Sequence, residues 1–298
     1  MAPKRCAYLT MEDADGWSID ADLAFPSMEA LGWEIAAMPW RKPGTNWDQF
    51  DAVYIGTPWD YPEDPGHFMS LLESIDRSRA ILVNDLNLVR WSMSKTYLRD
   101  LEAKGAAIVP SLWYDDMTPG VIDQAFEAHR TPKIIIKPVV STNATDTFLL
   151  TRVQARELER ELATTFRNRP FVVQPFIENI QLEGEYSLFY FSCKFSHATR
   201  KVPKPGDFRV QEEHGADLMS VVPEQALLDT GERVMGLVNP MPVYARADFV
   251  RGPDGRFLVM ELEMIEPSMY LRMDPEAPQR FAKAFDQYVA NATTGGQQ

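Results

Sequence analysis

The stretch Val243-Tyr-Ala-Arg-Ala-Asp-Phe-Val250, Arg251-Gly-Pro-Asp-Gly255, Arg256-Phe-Leu-Val-Met-Glu-Leu-Glu-Met264 decides how this chain folds. Alternation at period two, a Gly/Pro/Asp break and renewed alternation predict two antiparallel strands joined by a short turn. Side chains on a strand switch faces at every residue. Tyr244, Arg246 and Asp248 therefore share one face of the first strand, and Val259, Glu261 and Glu263 one face of the second. Ala247, Phe249, Leu258, Met260, Leu262 and Met264 take the other face and are expected in the core. Pairing in register gathers one guanidinium and the carboxylates of Asp248, Glu261 and Glu263 on one side of the sheet. Like charges so close raise one another's pKa unless a cation sits among them. Two readings stay open: hard oxygen ligands for Mg²⁺, or a solvated face on which Arg246 neutralises its neighbours.

The rest of the chain narrows the function class. With 298 residues it has room for two or three lobes. A net charge of −13 argues against non-specific nucleic-acid binding, so any anionic ligand must be met by local cations. The two cysteines, Cys6 and Cys193, are too few for a disulfide framework. The basic start lacks an apolar signal segment, and no run approaches the ~20 apolar residues that span a bilayer. A soluble, cytoplasmic protein without membrane partners is expected.

From residue 6 to 83, apolar runs at 6–10, 33–38, 52–56 and 80–83 alternate with helix candidates at 20–31 and 65–75. That rhythm predicts a small parallel sheet. Ligands collect at the carboxyl ends of such strands. There lie Met11-Glu-Asp-Ala-Asp15 and a loop holding Thr57, Trp59, Asp60 and Tyr61, read as substrate loops or as turns whose aromatics cap the sheet. No G-x-G-x-x-G follows the first strand. Ser92 is a plausible N-cap for a helix closing at Gly105, which puts Lys95 in a first turn. It could meet phosphate there or simply be solvated.

A new lobe begins near Val109. Its strand Lys133-Ile-Ile-Ile-Lys137 carries a lysine needing a partner, and a hydroxyl-rich loop, 141–147, is small enough for backbone N–H groups to approach phosphate. An amphipathic helix is expected over 154–166, then a strand over 171–177. A long strand over 183–195 precedes a cation cluster of His197, Arg200, Lys201, Lys204 and Arg209, a natural seat for an anion. His197 and His214 could equally be structural. Glu266-Pro-Ser-Met-Tyr270 is a loop at the hairpin's exit, a helix is expected over 278–290, and a disordered tail over 293–298.

In order, Lys95, Lys137 before a small-residue loop, Gln174-Pro-Phe-Ile, Gly-Glu185-Tyr-Ser, Arg246-x-Asp248 and Glu261-x-Glu263 resemble the ATP-grasp superfamily over nearly the whole chain. Thr-Pro-Trp-Asp-Tyr, Leu-Val-Arg-Trp-Ser-x-x-Lys, Phe-Ser-His-Ala-x-Arg-Lys and Glu-x-Glu-x-Ile-Glu-Pro-Ser look like the branch that contains cycloserine synthetase. The resemblance implies an α/β protein with α+β lobes in the ATP-grasp fold. A parallel-sheet domain over 1–90 would precede two lobes, 91–177 and 178–298, clasping ATP. Lys95 and Lys137 would hold its phosphates under a loop including Ser141 and Thr142. Gln174, Phe176, Ile177 and Met260 would hold the adenine and Glu185 the ribose, with Asp248, Glu261 and Glu263 carrying Mg²⁺, or Mn²⁺ in its place. Glu263 departs from the common pattern, which ends in Asn. Arg246 would steady the transferring phosphoryl group, and Lys201 and Arg209, with Arg200 second, would hold an acceptor carboxylate. Thr57, Trp59, Asp60, Tyr61, His197, Glu266 and Ser268 are further substrate candidates. The implied chemistry is carboxylate activation through an acyl phosphate and amide formation on a small amino-acid-like substrate, within one molecule or between two, in a monomer or homodimer. A kinase or a nucleotide-binding module without turnover is the reading from another class.

Overall fold

The computed structural model describes residues 3–295. Its frame is three sheets. The first, in order β2-β1-β3-β4, comprises β1 (Lys4–Thr10), β2 (Trp33–Pro39), β3 (Ala52–Thr57) and β4 (Ile81–Val83), all parallel. The second, in order β5-β8-β6-β7, comprises β5 (Leu112–Tyr114), β6 (Lys133–Pro138), β7 (Phe148–Thr151) and β8 (Phe171–Pro175), all antiparallel. The third, in order β11-β10-β9-β12-β13, comprises β9 (Glu185–Phe191), β10 (Lys194–Val202), β11 (Asp217–Ser220), β12 (Tyr244–Arg251) and β13 (Phe257–Glu263), also antiparallel.

Several elements depart from the sequence reading for local reasons. The helix expected over 20–31 is a 3-10 turn, Ala21–Ala24, then a short helix, Phe25–Glu29, because Pro26 is tolerated only in a first turn. Ser92 ends a helix instead of opening one. Asp85 caps Leu86–Ser92, accepting from the N–H groups of Asn87 and Leu88, while the Ser92 hydroxyl bonds back to the Leu88 carbonyl. Lys95 consequently lies in the link before the helix Tyr97–Ala103. The helix expected over 154–166 breaks at Leu158 into Arg152–Glu157 and Glu159–Thr165. The strand expected over 183–195 is a hairpin, β9 to β10, turned at Ser192 and Cys193 with φ of 48° and 57°. Two left-handed residues make the turn whose twist matches paired strands. The final helix, Ala277–Gly295, runs into the segment expected as a tail; residues 296–298 lie outside the described residues.

In the decisive hairpin, Arg246 pairs with Glu263 and Asp248 with Glu261, but Phe249 pairs with Val259. Met260 is the extra residue of a β-bulge, and two residues now oppose one. The bulge corrects the expected faces: Val259 joins Ala247 and Phe249 in the core, while Leu258 and Met260 move to the side of Glu261 and Glu263.

The last helix covers the first sheet, with Phe281, Ala282 and Phe285 packed among Cys6, Tyr8 and Tyr54. At full burial each such aromatic is worth about 1.5–3 kcal/mol. Asn84, 1% exposed, joins the first sheet to the third: its amide donates to the Tyr244 and Met264 carbonyls at 2.9 Å and accepts from the Val243 N–H. The ends of β12 and β13 are thereby fixed against the carboxyl end of β4. Among the described residues no helix is long and apolar enough to cross a membrane.

Candidate active site

A cleft opens between the second and third sheets, and loops from the first sheet form part of its rim. One half is apolar. Ile135 of β6, Phe176 and Ile177 after β8, Val210, and Val250, Leu258 and Met260 of the hairpin pack together, with Gln174 at the edge donating to the Ser111 hydroxyl at 2.9 Å. The bulge is what brings Met260 here. A slot walled by aliphatic and aromatic side chains suits a flat heteroaromatic ring.

The other half is a lattice of charges. Lys95 Nζ lies 2.9 Å from Glu261 Oε1 and donates to the Ser141 carbonyl at 2.9 Å. Lys201, 3% exposed, pairs with Glu185 and lies 3.7 Å from Asp248 Oδ1. Arg246 donates from Nε to both Asp248 carboxylate oxygens at 3.1 Å, from Nη2 to Glu263, and from Nη1 to the Ser268 carbonyl at 3.1 Å. Ser187 also donates to Asp248. Burial of this many ions is stable only because each is paired. Burial would raise the Glu261 carboxyl, but Lys95 and Lys137 beside it hold it below the usual range. Desolvation also opposes the charged form of Asp248, yet Arg246 and Lys201 keep it low. The Lys137 ammonium is lowered by desolvation, so an arriving anion would be welcome.

Glu263 behaves differently. Burial, reinforced by the neighbouring Asp248 and Glu261 carboxylates against the pull of Arg246, pushes it up to about 7. A carboxyl whose pKa is higher folded than unfolded holds its proton better in the folded state, so its contribution to stability falls as pH rises from the unfolded value of 4.5 to about 7. Glu263→Gln is therefore expected to be relatively more stable at pH 8 than at pH 5, by on the order of 1–3 kcal/mol. Urea unfolding of ligand-free wild type and variant at both pH values checks this, and a difference that does not change with pH refutes it.

Among the described residues no three His, Cys, Asp or Glu side chains stand together as a metal cage. Asp248, with 4% of its side chain exposed, is spent on Arg246, Lys201 and Ser187, whereas Glu261 and Glu263 keep 27% and 31% open to the cleft. Those two carboxylates fit Mg²⁺, which is commonly held by one or two carboxylates with phosphate and water supplying the remaining oxygens.

The loop after β6 bends over the charged half. Asn143, Ala144 and Asp146 adopt φ of 49°, 54° and 53°, a left-handed conformation costly for residues with a Cβ and held only where contacts enforce it. Thr142 donates to the Trp59 carbonyl at 3.1 Å, His214 lies 3.3 Å from the Asn143 carbonyl, and Arg169 pairs with Asp146 at 2.6 Å.

Of the sequence candidates, Lys95, Lys137, Ser141, Thr142, Gln174, Phe176, Ile177, Glu185, Lys201, Arg209, Arg246, Met260, Glu261, Glu263, Trp59, Tyr61, Glu266 and Ser268 all line the cleft. The others lie outside its lining. Thr57 bonds the Tyr8 and Thr10 hydroxyls within the first sheet, and Asp60 is held by the Trp40 indole and Arg41. Arg200 points to the Met219 sulfur. His197 stacks on Phe189 with centroids 4.2 Å apart, and burial lowers its pKa to about 4. The members of the expected anion seat also carry partners of their own. Lys201 is sealed into the buried lattice and Arg209 is clamped on Asp207, so neither is a free cation. Glu266 is pushed well above the carboxylate range by burial and by Glu263. Trp17 and Tyr270, not singled out from the sequence, also line the cleft. Trp17 lies against Trp59 with centroids 5.0 Å apart; its only signal was its place just beyond the acidic loop.

Comparison with known proteins gives the family. Residues 6–84 match the family described as the N-terminal domain of D-cycloserine synthetase DcsG. The chain is 30% identical over 290 residues to the cycloserine biosynthesis protein DcsG of Streptomyces lavendulae, covering 91% of this chain and 95% of that one. The crystal structure of D-cycloserine synthetase DcsG superposes with a TM-score of 0.84 at 24% identity, over 96% of this chain and 99% of that one. The ATP-grasp ligase PsnB, solved with its minimal precursor, Mg and ADP, superposes with a TM-score of 0.64 at 15% identity, over 96% and 98%. With its three sheets, its charged cleft and an end-to-end match of this identity, the chain belongs to the DcsG family of ATP-grasp ligases, enzymes that join a carboxylate to an amine.

Proposed function

We propose that the protein uses ATP and Mg²⁺ to convert the carboxylate of an amino-acid derivative to an acyl phosphate, which a nitrogen of the same molecule then attacks to close a ring. The observation that carries this reading is the convergence of Lys95, Lys137, Lys201 and Arg246 with Glu261 and Glu263 on one cleft, beside an apolar slot. The base lies in the slot against Met260, Phe176 and Ile177. Glu185, freed from Lys201, meets the ribose, and Lys95 and Lys137 hold the phosphates under the 141–147 loop. Glu261 and Glu263 hold the cation, which when bound neutralises phosphate charge. The γ-phosphoryl bond to ADP breaks as a carboxylate oxygen bonds to phosphorus. The nitrogen then bonds to the carbonyl carbon, expelling inorganic phosphate and losing its proton. No side chain forms a covalent bond. The protein contributes position and fixed charge, which suffice for loose phosphoryl-transfer transition states. Arg246 and Lys201, already locked in place by Asp248, require little reorganisation when charge develops.

Ring closure rests on the resemblance in sequence to the cycloserine biosynthesis protein, whose chain is matched almost end to end. The test is ADP release against a panel of amino-acid derivatives, supplied singly and in pairs, with product analysis by mass spectrometry. Release with one compound and loss of water from it supports cyclisation. A requirement for two compounds makes the enzyme an intermolecular ligase, a phosphorylated end product makes it a kinase, and no release with any compound refutes catalysis. Lys137→Ala is expected to weaken ATP about tenfold or more by calorimetry, since charged hydrogen bonds to phosphate are worth about 1.5–3 kcal/mol; unchanged affinity would remove Lys137 from the phosphate site.

A further inference from the structure

Tyr270 lies in the loop after the hairpin, 5% exposed, with φ 44° and ψ 44°. A bulky aromatic in the left-handed region is rare, and such conformations persist where surrounding contacts over-determine them. Those contacts are present. Arg246 binds the Ser268 carbonyl on one side, and His197 lies 3.1 Å from the Met269 carbonyl. Because a carbonyl can only accept, the His197 Nε2 carries the proton and its Nδ1 accepts from Ser196. On the other side the Met273 N–H donates to the Tyr270 carbonyl at 2.9 Å, and Arg272 reaches Asp20 at 3.0 Å and also Glu212.

The ring these contacts aim is walled by Phe189, edge to face at 5.9 Å, and lies 5.9 Å from the Arg246 guanidinium and 5.2 Å from that of Arg272. Tyr270 lines the cleft beside Lys201 and Arg246. Among the described residues its hydroxyl makes no hydrogen bond within the protein and, unlike that of Tyr190, is not sealed off from the cleft, which leaves it available to a ligand. A neutral donor that lines the cleft with Arg246 and Lys201, on a strained and pinned backbone, is suited to an oxyanion that arrives between those two cations.

We propose that Tyr270 contacts substrate, its hydroxyl donating a hydrogen bond to the phosphoryl oxygens gathered between Arg246 and Lys201; this rests on the ligase reading above. His197 and Arg272 act through it as positioning residues. Tyr270→Phe keeps the ring and removes only the donor. The test is calorimetric titration of wild type and Tyr270→Phe with ADP in excess Mg²⁺, then of the ADP-loaded proteins with inorganic phosphate. ADP is expected to bind both equally, and phosphate to bind the variant at least tenfold more weakly. Equal phosphate affinity, including no binding to either protein, overturns the proposal while leaving the ligase reading intact. An equal loss of ADP affinity in the variant would make Tyr270 structural and also overturn it. Wild type that binds no ADP sinks the ligase reading and this proposal with it.

Discussion

Arg246→Ala is expected to lower ADP release by about a thousandfold and to destabilise the fold by about 3–5 kcal/mol. The first figure is the low end of what an arginine contributes when it faces a phosphoryl group in transfer. The second is the cost of stripping one partner from a buried ion cluster. Both follow from the fork of this side chain, which reaches Asp248, Glu263 and the Ser268 carbonyl at once. Without it Asp248 keeps only Ser187 and Lys201, the latter at 3.7 Å, and Glu263 faces its carboxylate neighbours unscreened. Arg246→Lys separates the two effects. A lysine restores the charge but not the bidentate geometry, so stability should largely return while turnover stays at least tenfold down. Urea unfolding and saturating-substrate ADP release measure the pair. An alanine variant within tenfold of wild-type turnover would remove Arg246 from the reaction.

How much of this could be read from the sequence depends on what each feature rests on. The hairpin was legible because alternation and a Gly/Pro/Asp turn are local properties, but counted out from the turn through Val250 and Phe249 they would set Asp248 against Met260, so the pairing of Asp248 with Glu261 and of Arg246 with Glu263 needs the bulge. The bulge at Met260 was not. In Leu258-Val259-Met260 three apolar residues run together, and nothing in the run says which one is extra. By residue type Ser92 is as good a cap as Asp85, and only its back-bond to the Leu88 carbonyl shows that it ends a helix rather than opening one. The cation cluster was visible as charge but not as pairing. Lys201 is committed to Glu185, a residue 16 positions away in sequence and opposite it in the ladder between β9 and β10. Tyr270 carried no signal at all, since its left-handed backbone is imposed by Arg246 and His197 from other strands.

Glu261→Gln is expected to lower turnover at least tenfold, a barrier change of about 1.4 kcal/mol or more, while the fold survives. The carboxylate has two tasks, and the amide fails both for the same reason. Toward Lys95, 2.9 Å away, it supplies the negative charge that keeps a 6% exposed ammonium stable before nucleotide arrives. Toward the cation it offers the more ionised of the two open carboxylates, since Lys95 and Lys137 hold it low while Glu263 sits near 7. A neutral amide leaves Glu263 to hold the ion alone, and although loss of the Glu261 charge lowers its pKa from about 7, burial and Asp248 still favour its protonated form. The deficit should therefore shrink as Mg²⁺ is raised or as pH is brought from 7 to 8.5, both of which fill the Glu263 side of the site. Glu263→Gln should show the smaller loss at pH 7 and no such recovery with pH, because the group that titrates there is gone. ADP release measured across Mg²⁺ concentration at the two pH values distinguishes the variants. Turnover of Glu261→Gln equal to wild type, or a deficit indifferent to Mg²⁺, would mean that the acidic pair does no more than balance the lysines around it.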